Sequence, residues 1–300
     1  MLKVGCNMFE NIIGNNKVKK ILSEIKDPSH AYMFLGTEGI GKFLFTKEFA
    51  YKWLCESELR PCGKCKSCIQ FAGNSNVDLN VIEPEDGSIK VEQIRNMIKK
   101  VYEKPIVSHK KIYIINDADK MTTSAQNALL KVLEEPPLYI IIILIGSNEH
   151  LFLNTIKSRC IKVVFQELEK EELKSYFENN GVMVNEKYIE LYEGSIGKAK
   201  KIEGLESNYI ELEELILNVK NTKRLEFVKK FTSLITKDNV EEMLKYLNVL
   251  LFKLGKSDDI YLNAIEQVNI AIKQYKFNCN MEMLLDNLVL NIYETITNNS

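Results

Sequence analysis

Five short apolar runs punctuate the first half of the chain: AYMFL (31–35), LNVIEP (79–84), KIYIIND (111–117), YIIIILIGS (139–147) and IKVVF (161–165). Between them, apolar residues recur at the spacing of amphipathic helices. Strands alternating with helices predict a parallel sheet covered on both faces, whose strands are apolar throughout because neither face meets water. The longest run, YIIIILIG (139–146), falls far short of the roughly 18 apolar residues of a membrane span and reads as a buried strand. After about residue 166 the strand signal stops. LEKEELKSYFENNG starts a helical pattern with Gly181 as its expected C-cap, and two short helices around the loop EGSIGKAKKI lead to about residue 205. Five longer segments follow, each with apolar residues at helical spacing: IELEELILNVKN, RLEFVKKFTSLIT, VEEMLKYLNVLLFKLG, IYLNAIEQVNIAIKQYKF and MEMLLDNLVLNIYETI. They predict five antiparallel helices packed through those stripes as a separate all-α domain. The expected plan is an α/β domain over 1–166, a small helical domain over 167–205 and an all-α domain over 206–300.

Composition adds bounds rather than identity. The 300 residues are 45% apolar and 27% charged, enough to build and cover several cores. With 40 basic and 41 acidic residues the net charge is −1, so no overall basicity points to nucleic acid. The N-terminal MLKVGCNMFENIIG lacks the apolar core and cleavage site of a secretory signal, and a cytoplasmic location is expected.

The first run leads into GTEGIGKF (36–43), which satisfies G-x-x-x-x-G-K-[ST] at every position but the last. Strand, glycine-rich turn and helix make a setting in which backbone N–H groups and a helix N-terminus converge on phosphate. Gly36, Gly39, Gly41 and Lys42 are therefore candidate nucleotide-binding residues, with Lys42 reaching the outer phosphates. Position 43 should supply a hydroxyl to Mg²⁺, a cation that demands oxygen ligands, and Phe43 offers none. Glycines serve turns as readily as phosphates, so the segment also reads as a tight turn with Phe43 packed inward. A working site further needs an Asp-Glu pair at the end of a second strand. KIYIINDADKM offers Asn116-Asp117, or Asp117-Ala118 if the register slides by one. Asp117 is the candidate metal-side residue, and neither register restores the pair. Phosphoryl transfer depends on the cation and a positioned nucleophile, which leaves ATP or ADP binding by this chain in doubt and argues against unaided hydrolysis.

Of seven cysteines, four crowd into WLCESELRPCGKCKSCIQF. Cys62, Cys65 and Cys68 are separated by two-residue gaps, and six residues lie between Cys55 and Cys62. Four thiolates converging on one tetrahedron suit Zn²⁺, and with every position filled by protein the site would be structural. Cys55, at the longest gap, is the least firmly placed ligand. Cys6, Cys160 and Cys279 stand apart and read as core or incidental thiols. His30, His109 and His150 have no partner at helical spacing, so no catalytic dyad is expected. His109, Lys110 and Lys111 precede a strand and read as its solvated entrance or as a basic surface near DNA.

DADKMTTSAQNALLKVLEEPP (117–137) followed by LNTIKSRC (153–160) resembles the bacterial DNA polymerase III clamp-loader subunits of the AAA+ class. The resemblance runs through motifs over about 1–205, and beyond that only through the number and placement of helices. It implies an α/β AAA+ nucleotide-fold domain with an inserted zinc module, then a helical lid, then a C-terminal helical collar that joins subunits. In that family the arginine of Ser-Arg-Cys projects into a neighbour's ATP site, a role that falls on Arg159. ATP-using members carry a lid arginine in G-S-x-R. Here GSIGK places Gly197 at that position with Lys198 next, so the resemblance points to the non-hydrolysing member. Its implied partners are gamma/tau-like ATPase subunits, a delta-like clamp-opening subunit, and the sliding clamp with primer-template DNA in the assembled complex, and no membrane. The competing expectations are an ATP-hydrolysing motor subunit of the same loader and, from another class, a zinc-dependent DNA-binding protein unrelated to loaders.

Overall fold

In the computed structural model, residues 8–180, 186–276 and 279–298 are described. Gly181 and Cys6 lie outside them. The chain divides into two compact units, Met1–Lys198 and Ala199–Ser300.

The first unit is built on five strands: β1 (Ala31–Leu35), β2 (Leu79–Ile82), β3 (Lys111–Ile115), β4 (Ile140–Gly146) and β5 (Ile161–Val164). All pairings are parallel and the order is β2-β3-β4-β1-β5. The five apolar runs therefore became the five strands, and β1, β3 and β4 are buried along their whole length. Alternation along the pleat sorts their side chains into two cores. On one face, Met33, Leu35, Tyr113, Ile115, Ile142 and Leu144 pack with residues of α4 (Val91–Val101), α5 (Thr123–Glu134) and α6 (Asn154–Lys157). On the other, Tyr32, Phe34, Ile112, Ile114, Ile141 and Ile143 pack with α1 (Asn16–Glu24) and α2 (Lys42–Leu54). Aromatic rings fill this second face: Phe49 meets Tyr32 edge-on at 5.1 Å, and Phe165 lies 5.0 Å from Phe45 and 5.3 Å from Phe34. Such offset geometry is favoured by the ring quadrupoles.

A short helix, α3 (Lys66–Ala72), is N-capped by Cys65 and carries Cys68 in its first turn. The fully buried Asp78, just before β2, accepts backbone N–H bonds from Ile106, Val107 and Ser108 at 2.7–2.8 Å. Ser108 Oγ in turn lies 2.8 Å from Ser67 Oγ, next to Cys68, so one carboxylate ties the turn before β3 to the cysteine module. Lys111 departs from the expected solvated strand entrance. It is buried, with Nζ donating to the carbonyls of Lys100 (2.7 Å) and Glu103 (3.3 Å), because carbonyls at the end of α4 keep acceptor capacity that a lysine can fill.

After β5 come α7 (Lys170–Asn179), a 3₁₀ segment (Glu186–Tyr192) and α8 (Ile196–Ile202), inside which the division between units falls. The second unit comprises α9 (Glu206–Leu217), α10 (Arg224–Leu234), α11 (Val240–Gly255), α12 (Ile260–Lys276) and α13 (Met281–Asn298). The five amphipathic segments are these helices. Neighbours pack α9 on α10, α11 on α12, α12 on α13 and α10 on α13. Tyr209, Phe227, Phe231, Leu247, Val289 and Ile292 are fully buried among them. No helix among the described residues is long and apolar enough to cross a membrane.

Replacing Asp78 by alanine strands three amide donors inside the fold, and the expected cost is about 3 kcal/mol of stability. Urea unfolding of the two proteins checks it.

Candidate functional site

In a parallel sheet the strand C-termini gather at one edge, and the loops there form the site. The 36–41 loop leaves β1 beside the end of β4 and enters α2. Gly39 and Gly41 hold φ of 76° and 92°, a region costly for residues with a Cβ. Lys42 is 7% exposed, and its Nζ donates to Gly36 O (2.6 Å), Thr37 O (2.8 Å) and Ser147 Oγ (3.2 Å). Burial lowers its pKa, an effect opposed by the carboxylates of Asp119, Asp117 and Glu38. The loop's own carbonyls thus satisfy the ammonium.

Phe43 is half-buried against the α1–α2 face of the core, with the Lys47 ammonium 5.2 Å from its ring centroid. The nearest hydroxyl along the helix, on Thr46, is buried and donates to Lys42 O at 2.9 Å. It faces the helix backbone instead of the loop.

Asp117 sits in the left-handed region with φ 48°, and its carboxylate is 2.9 Å from Lys120 Nζ. The following Ala118 is buried. Asp119, which the sequence pattern did not single out, accepts the N–H groups of Ser147 and Asn148 at 3.0 Å each and so fixes the turn after β4. The only signal for it was the Asp-x-Asp spacing at the strand end.

Gly197 lies directly on the 36–41 glycine loop. Its N–H donates to Gly39 O at 3.0 Å, and a Cβ at position 197 would sit 2.7 Å from Gly39 Cα. A Cβ at Gly39 would in turn meet the buried Ser195 Oγ at 2.5 Å. The 195–198 segment and the loop meet backbone to backbone with no room for a side chain at either glycine. Lys198 pairs with Glu193.

The four cysteine sulfurs lie within 4.8 Å of one another, with Cys62–Cys68 and Cys65–Cys55 at 4.0 Å. A tetrahedron of bonds near 2.3 Å has edges of about 3.8 Å, so this group could hold a metal ion. Cys55, at the far end of the longest gap, is fully in the cluster. Sulfurs accept backbone N–H groups throughout: Ser57 and Cys62 donate to Cys55, Cys65 to Cys62, and Cys68 to Cys65, at 3.3–3.4 Å. Amide donors from Lys64 and Cys65 bring the Cys62 thiol down to about 6, while burial pushes Cys68 up to about 12. A cation held here would draw the thiols into the thiolate state, so binding would release protons. Of the remaining cysteines, Cys160 is half-buried, its thiol pushed up to about 12 by burial, and Cys279 is exposed.

Arg159 follows α6. Its Nη2 donates to Glu134 Oε1 at 2.8 Å, and Nη1 to Thr155 O at 2.9 Å and Ser158 Oγ at 3.3 Å. The backbone beneath it is firmly held: Ile156 is fully buried, and the buried Gln126 donates to Leu151 O (2.9 Å) and accepts from Leu153 N (2.8 Å). Neither Gln126 nor Glu134 stood out in the sequence as more than part of the NALLKVLEEPP segment.

A parallel sheet of order β2-β3-β4-β1-β5, with a glycine-rich loop between β1 and α2 and helices on both faces, defines an AAA+-like α/β fold followed by helical segments. The family model described as "DNA polymerase III, delta subunit" matches residues 13–169, over half of the chain. This protein belongs to that family of DNA polymerase III clamp-loader subunits. DNA polymerase III subunit gamma of Buchnera aphidicola is 29% identical over 92% of this chain and 77% of its own length. DNA polymerase III subunit delta′ of Bacillus subtilis is 37% identical, over 49% of this chain and 45% of that relative. A gamma subunit-related protein of Thermotoga maritima has the same fold, with a TM-score of 0.53 and 19% identity over 93% of this chain and 98% of that one.

Alanine at position 197 gains helix propensity, yet its methyl group meets Gly39. The expected net effect of Gly197→Ala is a loss of about 1–3 kcal/mol, the usual cost of overpacking, read from thermal unfolding of the full chain.

Proposed function

We propose that this chain is the delta-prime-type subunit of a DNA polymerase III clamp loader, one that does not hydrolyse ATP itself and lends Arg159 to the ATP site of a neighbouring subunit. In this reading residues 1–166 are the AAA+ domain, 167–205 the lid and 206–300 the collar through which the subunits join. Gamma/tau-like ATPase subunits and a delta-like clamp-opening subunit complete the assembly, which loads the sliding clamp onto primer-template DNA. Such work belongs in the cytoplasm, at the replicating nucleoid.

The observation that carries the proposal is the state of the phosphate loop. Its lysine is consumed by Gly36 O, Thr37 O and Ser147, and its crown is covered by Gly197. Phe43 supplies no oxygen for magnesium, and Ala118 cannot orient water behind Asp117. Retained chemistry then lies in Arg159, one third of whose side chain is exposed. An arginine supplied in trans stabilises the charge that spreads over the transferring phosphoryl oxygens. Four sulfurs with amide support fit a structural Zn²⁺ held by Cys55, Cys62, Cys65 and Cys68, which closes the module before α3 and leaves no position for water.

The 29% identity to a gamma subunit along most of the chain favours a second reading, the ATP-hydrolysing motor of the same loader. ATP hydrolysis by the reconstituted loader with clamp and primed DNA separates the two. The trans role predicts that Arg159→Ala lowers turnover by an order of magnitude or more, as loss of an arginine finger does, that Lys42→Ala has little effect, and that the isolated chain is inert. Hydrolysis by the isolated chain, abolished by Lys42→Ala, would establish the motor instead.

Metal analysis of the purified chain is expected to give one zinc per chain. Loss of the metal from Cys68→Ser, with a lower melting temperature, follows if that sulfur is a ligand.

A further inference from the structure

Arg159 does not project freely from its turn. Both terminal nitrogens of the guanidinium are engaged within the chain, Nη2 by Glu134 at 2.8 Å and Nη1 by Thr155 O and Ser158 Oγ. The side chain is folded back between the end of α5 and the last turn of α6. The two layers of this arrangement differ in character. Below, the backbone is pinned by buried groups: Ile156 in the core, and Gln126 bridging Leu151 and Leu153. Above, the guanidinium is held by groups that meet water, with 33% of the Arg159 side chain exposed and 51% of Glu134. An ion pair in that setting is weak and screened by salt. The base of the arginine is built to stay, and its tip is built to leave.

We propose that Glu134 is a latch on Arg159. It holds the guanidinium folded against its own subunit until the polyphosphate of a neighbour's ATP, an anion of higher charge with more acceptor oxygens, draws it away. This rests on the reading of Arg159 as a trans-acting finger. Glu134 touches no nucleotide and acts only by setting how often the arginine is free to cross. Because the pair is exposed and the latch is given up on engagement, its effect falls on the idle complex, in which the neighbour's site is not yet pressed closed. Once clamp and DNA favour the closed assembly, the arginine is already engaged and the latch matters little. Lesions that merely damage a structure lower activity. Removing a latch raises it, and that sign distinguishes the two.

The test uses the full loader reconstituted with its ATPase subunits, with ATP turnover measured alone and with saturating clamp and primed DNA. Glu134→Gln keeps the shape of the side chain and removes its charge. The expected result is a rise of about two- to fivefold in turnover without clamp and DNA, the size of a weak surface ion pair, shrinking when both are present. Glu134→Asp, which keeps the charge, should fall between wild type and Glu134→Gln. In the Glu134→Gln/Arg159→Ala double variant the gain should vanish, leaving the rate of Arg159→Ala alone. A melting temperature for Glu134→Gln close to wild type verifies that the fold is intact. If Arg159→Ala lowers turnover while Glu134→Gln leaves the idle rate unchanged or lowers it, the latch is overturned and the finger stands. If Arg159→Ala changes nothing, the finger itself is wrong and the latch falls with it.

Discussion

Everything in the first unit depends on the burial of β1, β3 and β4 on both faces. A strand with apolar side chains above and below must find all its backbone partners in the sheet, and a parallel neighbour can be reached only by a crossover over one face. The helices supply those crossovers and cover the two cores. The same constraint collects every strand end at one edge, which is why the glycine loop after β1, Asp117 and Asp119 after β3, and Ser147 after β4 become neighbours although they are far apart in the chain. The arrangement at that edge follows from where the greasy segments had to go.

Upon this frame the chain has built contacts of two kinds. Some are buried and fully satisfied, such as Asp78 with its three amides, Lys111 on the end of α4, and Gln126 at the foot of the Arg159 turn. Inside a low-dielectric interior each such group is costly to leave unpaired, so these contacts fix geometry. Others, such as Lys120 with Asp117 and Arg159 with Glu134, are ion pairs in contact with water and are easily exchanged. The division between rigid support and exchangeable charge runs through the candidate site itself.

The sheet was legible in the sequence because a strand buried on both faces leaves a nearly unbroken apolar run, and no other short element does so outside a helix core. The four cysteines were legible because two-residue gaps have few other uses. What stayed hidden depends on residues brought together from far apart. The bond between Gly197 and Gly39 spans most of the first unit and leaves no mark beyond two glycines, which serve turns and caps equally well. Asp119 was missed because its partners are backbone amides after another strand, and amides carry no letter in a sequence. Lys111 looked like part of a basic run, since a lysine that caps a helix end is spelled like one in water. At Asn116 and Asp117, where the sequence left two registers open, the structure adds what neither register spelled out: Asp117 takes a left-handed backbone conformation and pairs with Lys120.

The meeting of Gly39 and Gly197 also bears on how this protein can change over time. A larger residue at 197 collides with the loop before it can reach past it, and a larger residue at 39 collides with Ser195. Neither position can be altered alone without first being a burden. A descendant that placed an arginine at 197 would have to move the loop in the same step, and it would still face an aromatic ring at position 43. The contact works as a one-way gate in sequence space: easily kept, and hard to leave by single substitutions.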